Sequence, residues 1–415
     1  MTGHVVVVGG GHAGVELAAT VRAADPLAAL TILGEEPHLP YHRPPLSKGI
    51  LGATNPTEDS AVVGLRALKW FEQKDIALRT GDPVVQIDCN QRAVKLSSGA
   101  EVAYDQLVLA TGSRNLELKV PGGDLPGVHY LRTFDEAVQL RSALRCGGSV
   151  VVVGGGFIGL EIAACASKVM RSVTVVEAAN RLLPRSVSEV TAVHLSDMHA
   201  ANGVAVLVGQ SVTRIIEDAG RAAGVVTSAG TVLPCDLVVV GIGVVPATEL
   251  AVSAGLRVDN GVLVDSFLRT SDERISAIGD CAAFPSADRD GGQVRLESVQ
   301  NAVGHARCLA ARLTGTGAPY SAVPWFWTEQ YGAKVQMVGL VQGHDRTVVR
   351  RSQDNSGFSV FCYAGERLLG VESVNRVRDH VGARALLENR IDLAPELAAR
   401  PDVDLRQIAH SAPAA

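Results

Sequence analysis

The sequence predicts an α/β protein with two Rossmann-like dinucleotide-binding domains and a smaller α+β domain at the C-terminal end. The first observation behind this is an internal repeat. Val5-Val-Val-Val-Gly-Gly-Gly-His-Ala-Gly-Val-Glu16 recurs as Val150-Val-Val-Val-Gly-Gly-Gly-Phe-Ile-Gly-Leu-Glu161. The offset of 145 residues is too long for a solenoid repeat and about right for a domain. The second is a set of Val, Ile and Leu runs without alternation, at His4–Val8, Leu107–Ala110, Val150–Val153, Val173–Glu177 and Leu237–Val240. Such runs suggest parallel strands buried on both faces. The third is the Ala-rich helical pattern between several of them, over Val15–Ala24 and Leu160–Lys168. Strand and helix in alternation argue for a parallel sheet.

From about residue 321 the character changes. Trp325 and Trp327 are two of the chain's three tryptophans, and Phe358, Phe361 and Tyr363 follow on a hairpin-like stretch. This stretch is expected to be the third domain. The length of 415 residues accommodates two or three domains rather than one core.

Composition narrows the functional classes. A net charge of −5 is not that of a general nucleic-acid binder, because phosphate contacts need a basic excess. The apolar runs are too short for a membrane span or an export signal; Leu237 to Val245 is broken by Gly241 and Gly243. Seven cysteines, at 89, 146, 165, 235, 281, 308 and 362, show no C-x-x-C and no zinc or iron–sulfur spacing. Scattered thiols in odd number fit a reducing cytoplasm, and no metal site is expected. The 43 glycines exceed ordinary usage without periodicity, so either many turns need positive φ or backbone approaches something closely.

Spacing answers part of that question. Gly9-x-Gly11-x-x-Gly14 follows a strand and opens a helix, and Gly154-x-Gly156-x-x-Gly159 does the same. The chemistry needs these glycines for a tight turn, for backbone approach to a pyrophosphate, and for close helix–strand packing. The first two of each set are expected to face the pyrophosphate, which rests on unpaired N–H groups at the helix start. Each motif is followed by an acid at the end of the next strand: Glu35, 21 residues after Gly14, and Glu177, 18 after Gly159. Carboxylates there accept the ribose hydroxyls of an adenosine. Glu177 would repel a 2′-phosphate, and the first cation after it is Arg181, so NADH is favoured over NADPH.

Further segments carry a family resemblance. His38-Leu-Pro-Tyr-His-Arg-Pro-Pro-Leu-Ser-Lys48 closely resembles the segment that bacterial ferredoxin reductases of the putidaredoxin reductase type place beside FAD. Leu107-Val-Leu-Ala-Thr-Gly112, Tyr130-Leu-Arg-Thr133, Ile278-Gly-Asp-Cys281, Arg295-Leu-Glu-Ser-Val-Gln-Asn301 and Pro324-Trp-Phe-Trp-Thr-Glu-Gln330 are similar to further segments of that family. His42 departs from the acid or amide expected at its position. The resemblance implies the glutathione-reductase-like plan, with FAD on the first dinucleotide unit and NADH on the second. The FAD domain is then discontinuous, over 1–113 and 245–320. The NAD domain covers 114–244, the C-terminal interface domain covers 321–405 and closes over the flavin, and 406–415 is expected to be a disordered tail.

Site expectations follow from residues and resemblance together. Asp280, after an apolar strand and a glycine, can accept a ribityl hydroxyl; a turn-forming role is its alternative. Ala110 ends a strand where backbone can run past the cofactor. Arg43 and Arg132 are assigned to FAD phosphates or flavin edge atoms, although an isolated Arg more often forms a surface ion pair. Val84 and Val299 complete the FAD-side set, and Gly243 closes a turn near the cofactors. The helix opening near Glu297-Ser-Val-Gln300 is expected to aim its positive end at the flavin pyrimidine ring. By resemblance Lys48 lies close to flavin N5, and Glu161, in the first turn after the second motif, lies where nicotinamide docks. The two are expected to pair within about 6 Å, neutralising a buried charge at the hydride-transfer point. Trp327 is assigned by resemblance to the dimethylbenzene end of the flavin, and Phe157, Arg185 and Glu297 to the NADH side.

No cysteine precedes Cys89, so a disulfide reductase or thiol peroxidase of this plan would lack its nucleophile. The expected function is hydride transfer from NADH to FAD, then single electrons to a [2Fe–2S] ferredoxin serving an oxygenase. Such acceptors are usually acidic, and Arg307, Arg312, Lys334, Arg346, Arg350 and Arg351 are candidates for a basic docking patch. The alternatives are an NADH oxidase and an NADH-binding flavoprotein similar to apoptosis-inducing factor.

Overall fold

A computed structural model describes residues 3–52, 63–286, 291–354 and 356–411. The chain divides into two compact units, one of Met1–Arg43, Thr57–Arg114 and Val244–Ala322, the other of Pro44–Pro56, Asn115–Gly243 and Val323–Ala415. The segment holding Lys48 therefore groups with the second unit.

The first unit is built on a five-stranded parallel sheet in the order Ile275–Ala277, Gln106–Leu109, His4–Val8, Ala29–Leu33, Ile76–Arg79. Val5, Val6 and Val7 are fully buried, as a strand covered on both faces requires. The motif helix His12–Ala24 buries Leu17, Ala18 and Val21, and the helix Val299–Leu313 buries Ala302, Ala306, Leu309 and Ala310 in the same core. A three-stranded antiparallel sheet begins with Val84–Asp88.

The second unit repeats the plan. Its parallel sheet runs Val204–Val208, Ser172–Glu177, Ser149–Val153, Leu237–Val240, Val128–His129. In both sheets the glycine-motif strand is central, with the next strand of the chain on one side and a later strand on the other. That arrangement is the topological switch point at which open α/β sheets bind ligands, outside the carboxyl ends of the strands. The same unit carries a five-stranded antiparallel sheet, Trp325–Gln330, Ala333–Gly339, Arg367–Val374, Phe358–Ala364, Arg346–Arg351. The helix Val377–Glu388 covers it, its Ala383 and Leu386 sharing a core with Val338, Phe361 and Val371.

Two expectations need correction. The tail expected from 406 is a helix, Leu405–Ser411, through 411; 412–415 lie outside the described residues. Leu405 and Ala409, four apart and so on one helix face, are buried in the C-terminal core. Arg350 leaves the docking candidates: it is fully buried in its strand, its Nη1 3.2 Å from Asp379 Oδ1 and its Nε donating to the Ala398 carbonyl. The strand lies at the edge of its sheet, where Asp379 and the Ala398 carbonyl cover Arg350, and a buried cation is tolerated when a carboxylate neutralises it. Arg312 is half-buried and donates to Ser276 Oγ at 2.5 Å, whereas Lys334, Arg346 and Arg351 are exposed. Arg307 is exposed and pairs with Glu16.

Candidate functional site

In the first unit the expected residues gather at the carboxyl ends of the parallel strands. Gly9 to Gly11 follow His4–Val8, Glu35 follows Ala29–Leu33, Ala110 follows Gln106–Leu109, and Asp280 follows Ile275–Ala277. The three motif glycines divide by role. At Gly9, φ is +120°, and an added Cβ would sit 2.1 Å from the Ala110 carbonyl oxygen. At Gly14 it would sit 2.1 Å from the Gly9 oxygen. Both are glycine because protein backbone is in the way. At Gly11 an added Cβ meets nothing within 4 Å. Gly11 is also the N-cap of His12–Ala24 and supplies no side-chain cap. An open space at an uncapped helix start is the cradle a pyrophosphate fits.

The second motif has the same anatomy. A Cβ at Gly154 would lie 2.3 Å from the Gly241 oxygen and one at Gly159 2.2 Å from the Gly154 oxygen, while Gly156 has only that Gly241 oxygen at 3.9 Å. Neighbouring strand-end backbone by itself demands glycine at 9 and 154, and Gly11 and Gly156 border the open cradle. Gly243, at φ +112°, likewise has no atom within 4 Å of an added Cβ, and its carbonyl accepts the Leu116 N–H.

The two strand-end acids differ. Glu35 is exposed, with Arg114 Nη1 3.5 Å away. Glu177 is half-buried and tethered to its own turn, accepting from Gly155 N–H at 2.6 Å and Ala179 N–H at 2.7 Å. Arg181 is turned to its own loop, donating to the Val187 and Pro184 carbonyls at 2.8 and 2.9 Å. Asp280 stands in a turn at Gly279–Cys281 and accepts from Ser113 Oγ at 3.3 Å. The turn is held from beneath, since Gly279 N–H donates to Nδ1 of the fully buried His305. Burial lowers the His305 pKa to about 3.

Arg43 lies 2.7 Å from Glu36 and donates to Tyr41 Oη at 3.3 Å, so its guanidinium is oriented by two neighbours from its own loop. His12, the first residue of the motif helix, lies with Nε2 2.9 Å from His42 Nδ1. Burial, His42 and Arg43 together lower the His12 pKa to about 4, against a smaller opposing pull from Asp280. Sequence reasoning missed His12 as a neighbour of this cluster. The signal available was the unusual His42, whose partner it is. Val84 is half-buried on the core of its unit, and Ala110 N–H donates to the Val8 carbonyl, extending the sheet. Glu297 pairs with Arg295 at 2.7 Å, and Val299 opens its helix behind the N-cap Ser298, whose side chain accepts from Asn301 N–H. The Arg132 segment has a helix-capping role: Arg132 and Thr133 N–H groups donate to Glu136, and Thr133 with Glu136 forms a capping box.

The densest polar cluster lies in the second unit around Glu161. Its side chain is 2% exposed on the helix Phe157–Ala166, of which seven residues are buried. Lys48 Nζ donates to Glu161 Oε2 at 2.7 Å, and Ser47 Oγ donates to the same oxygen. Thr328 Oγ1 donates to Oε1 at 2.6 Å. The carboxylate is therefore surrounded by donors on both oxygens, which a buried charge requires. Ser47 and Thr328 were missed, although both lie inside segments noted for their neighbours Lys48 and Trp327; local spacing does not reveal which strand face looks at a residue 167 positions away. Phe157 packs on Phe326 with ring centroids 4.7 Å apart, Trp327 stands half-buried 5.6 Å from Trp325, and Arg185 is exposed with its carbonyl accepting from Gln342.

The residues fit two dinucleotides: each unit offers an open glycine turn on an uncapped helix start and an acid after the adjacent strand, and the first adds Asp280 and Arg43. All seven cysteines are free thiols. Among the described residues no group of His, Cys, Asp and Glu is arranged to hold a metal ion, and no helix is long and apolar enough to cross a membrane.

Comparison with known proteins agrees with this anatomy. The pyridine nucleotide-disulphide oxidoreductase family matches residues 3–306, and the reductase C-terminal family matches 325–409. Rhodocoxin reductase of Rhodococcus erythropolis is 52% identical over 402 residues, covering 97% of this chain and 93% of its own. The crystal structure of the ferredoxin reductase for the CYP199A2 system from Rhodopseudomonas palustris superposes with a TM-score of 0.94 at 45% identity, covering 98% of this chain and 99% of that one. The covalent putidaredoxin reductase–putidaredoxin complex matches with a TM-score of 0.93 at 38% identity, covering 99% and 98%. With two glycine cradles, the Lys48 segment and a C-terminal antiparallel sheet in one chain, the protein belongs to the pyridine nucleotide-disulphide oxidoreductase family, among the FAD- and NAD(H)-dependent ferredoxin reductases of the putidaredoxin reductase type.

Proposed function

We propose that the chain is an NADH-dependent ferredoxin reductase of an oxygenase system. The observation that carries the reading is the pair of open glycine cradles in a chain whose first motif helix holds no cysteine. Once bound, FAD supplies hydride acceptance from NADH and release of the electrons one at a time. The protein's own groups bind and orient. Gly11 N-cap backbone and Arg43 hold the FAD diphosphate, Glu35 its ribose and Asp280 its ribityl chain, with Val84, Ala110, Arg132 and Val299 lining the remainder. Gly156 and Glu177 do the same for NADH, with Phe157, Arg185, Gly243 and Glu297 beside it. Lys48 and Glu161 neutralise one another at the transfer point and exclude water there, and Trp327 faces the flavin edge. The relatives named for rhodocoxin and putidaredoxin support a [2Fe–2S] ferredoxin as acceptor. FAD-binding is assigned to 1–113 and 245–320, NAD-binding to 114–244 and the interface to 321–405. Free thiols throughout favour a cytoplasmic setting.

The test is NADH-driven cytochrome c reduction with and without added [2Fe–2S] ferredoxin, beside stopped-flow reduction of the enzyme by NADH. Rapid reduction with strong stimulation by ferredoxin is expected. Equal rates with and without it would sink the reading and leave the oxidase, which hydrogen peroxide formation would then reveal.

A further inference from the structure

The donors around Glu161 do not end with Thr328. Gln330 Nε2 donates to Thr328 Oγ1 at 3.1 Å, Gln330 Oε1 lies 2.8 Å from His199 Nε2, and His199 Nδ1 lies 3.2 Å from Tyr331 Oη. Thr328 and His199 are fully buried and Gln330 is 3% exposed. The strand Trp325–Gln330 makes the line possible. Residues two apart share a face, so Thr328 and Gln330 turn inward together while Trp325 and Trp327 take the opposite face.

The proton positions follow from the amide. With its nitrogen donating to Thr328, Gln330 presents its oxygen to His199, so the imidazole must carry its proton on Nε2. Burial pushes the His199 pKa down, with Gln330 opposing, and the ring is neutral. Nδ1 is then an acceptor, and the Tyr331 hydroxyl is its donor. Every bond points the same way: Tyr331 to His199, His199 to Gln330, Gln330 to Thr328, Thr328 to the carboxylate. Burying this many polar groups is costly unless all are satisfied, and aligned chains strengthen each member. An amide in the middle does not pass protons readily, so the line is not a proton wire. Its physical consequence is orientation.

We infer that Thr328, Gln330 and His199 are positioning residues, a one-directional hydrogen-bond chain that holds the Glu161 carboxylate in the rotamer that keeps it paired with Lys48. This rests on the reading that the Lys48–Glu161 pair stands at the hydride-transfer point. Loss of the chain then lowers the rate of reduction at saturating NADH without weakening NADH binding, because none of the three residues is among those assigned to either cofactor.

The experiment has two arms, both on the FAD-loaded enzyme. In the first, histidine-selective 15N NMR reads the His199 tautomer. A protonated Nε2 and an accepting Nδ1 are expected, with the ring signals moving in Gln330→Met and, more weakly, in Glu161→Gln. A protonated Nδ1, or a ring indifferent to both substitutions, overturns the chain. In the second, Gln330→Met and His199→Leu are expected to reduce the saturating rate roughly three- to tenfold with the NADH dissociation constant unchanged. His199→Gln, which can still donate to Gln330, is expected to recover most of it. Wild-type rates in both disrupted variants overturn the proposal. Should either variant lose FAD or fold poorly, the wild-type tautomer and the response to Glu161→Gln decide. If Glu161→Gln itself leaves the rate unchanged while the His199 signals still move, the chain stands and the placement of the pair at the transfer point fails.

Discussion

Glu16 and Glu161 occupy the same place in the two repeats, yet the fold treats them oppositely. Glu16 sits on the first motif helix with its carboxylate 2.7 Å from Arg307, an exposed cation on a neighbouring helix. Glu161 sits on the second motif helix at 2% exposure, held by Lys48, Ser47 and Thr328. A surface ion pair with one exposed partner contributes little, because water and salt screen it. A carboxylate out of water must be matched by donors or it destabilises the whole unit. The repeat therefore supplies a carboxylate in both units, and the surroundings make one of them a surface detail and the other the centre of a polar network.

The sharpest way to break this comparison is to neutralise both acids. Glu161→Gln is expected to lower the rate of reduction by NADH by about two orders of magnitude, measured by stopped flow, because the Lys48 charge is left unmatched. Glu16→Gln is expected to leave that rate unchanged and to shift denaturant-measured stability by less than about 0.5 kcal/mol. Comparable effects from the two would show that burial is not what separates them.

The glycines extend the comparison to the turns. Gly9→Ala and Gly154→Ala each drive a Cβ to within 2.1 and 2.3 Å of a carbonyl oxygen at positive φ, and each is expected to cost more than about 3 kcal/mol or prevent folding. Gly11→Ala meets no protein atom and should leave the stability of FAD-free protein near that of wild type. FAD affinity, measured by fluorescence titration, should nevertheless fall at least tenfold, roughly the effect of a methyl group in a backbone–phosphate contact. Retained affinity in Gly11→Ala would mean the cradle is not where the diphosphate rests.

The smallest expected effect is on pH. His305 is neutral in the fold, its pKa lowered by burial from the ordinary 6.5 to about 3, whereas the unfolded chain protonates it below the ordinary value. Unfolding therefore takes up a proton between those limits, and stability declines as pH falls from about 6.5 toward 3. His305→Gln is expected to flatten the decline in Tm over that range while lowering Tm at neutral pH, where the Gly279 N–H acceptor is altered. An unchanged pH slope in the variant would show that His305 is not a source of it.

Much of the site was legible in sequence because it is local. Strand, turn, helix start and strand-end acid fall within about thirty residues of chain, and the chemistry of a pyrophosphate on a helix start dictates their spacing. Where the reading went astray, the deciding contact was distant. Arg350 looked like surface charge until Asp379, on a covering helix, took it into the core. The demand for glycine at 9 likewise comes from distant backbone, the Ala110 carbonyl, which the motif alone does not show. Thr328 and Gln330 were hidden behind Trp327, because only the pairing of their strand tells which face looks inward.

By itself, then, the sequence determined that there are two glycine-turn α/β units, which acids follow them, and that no thiol stands on the first motif helix. Periodicity and turn stereochemistry act over a few residues and survive without tertiary contacts. The tertiary structure alone decided which of two equivalent glutamates is buried, which glycines are hemmed in by protein and which border open space, and that His199 joins Glu161 through a strand more than 120 residues later. Those outcomes depend on burial and on donor–acceptor matching between distant segments, and neither quantity exists until the chain has folded.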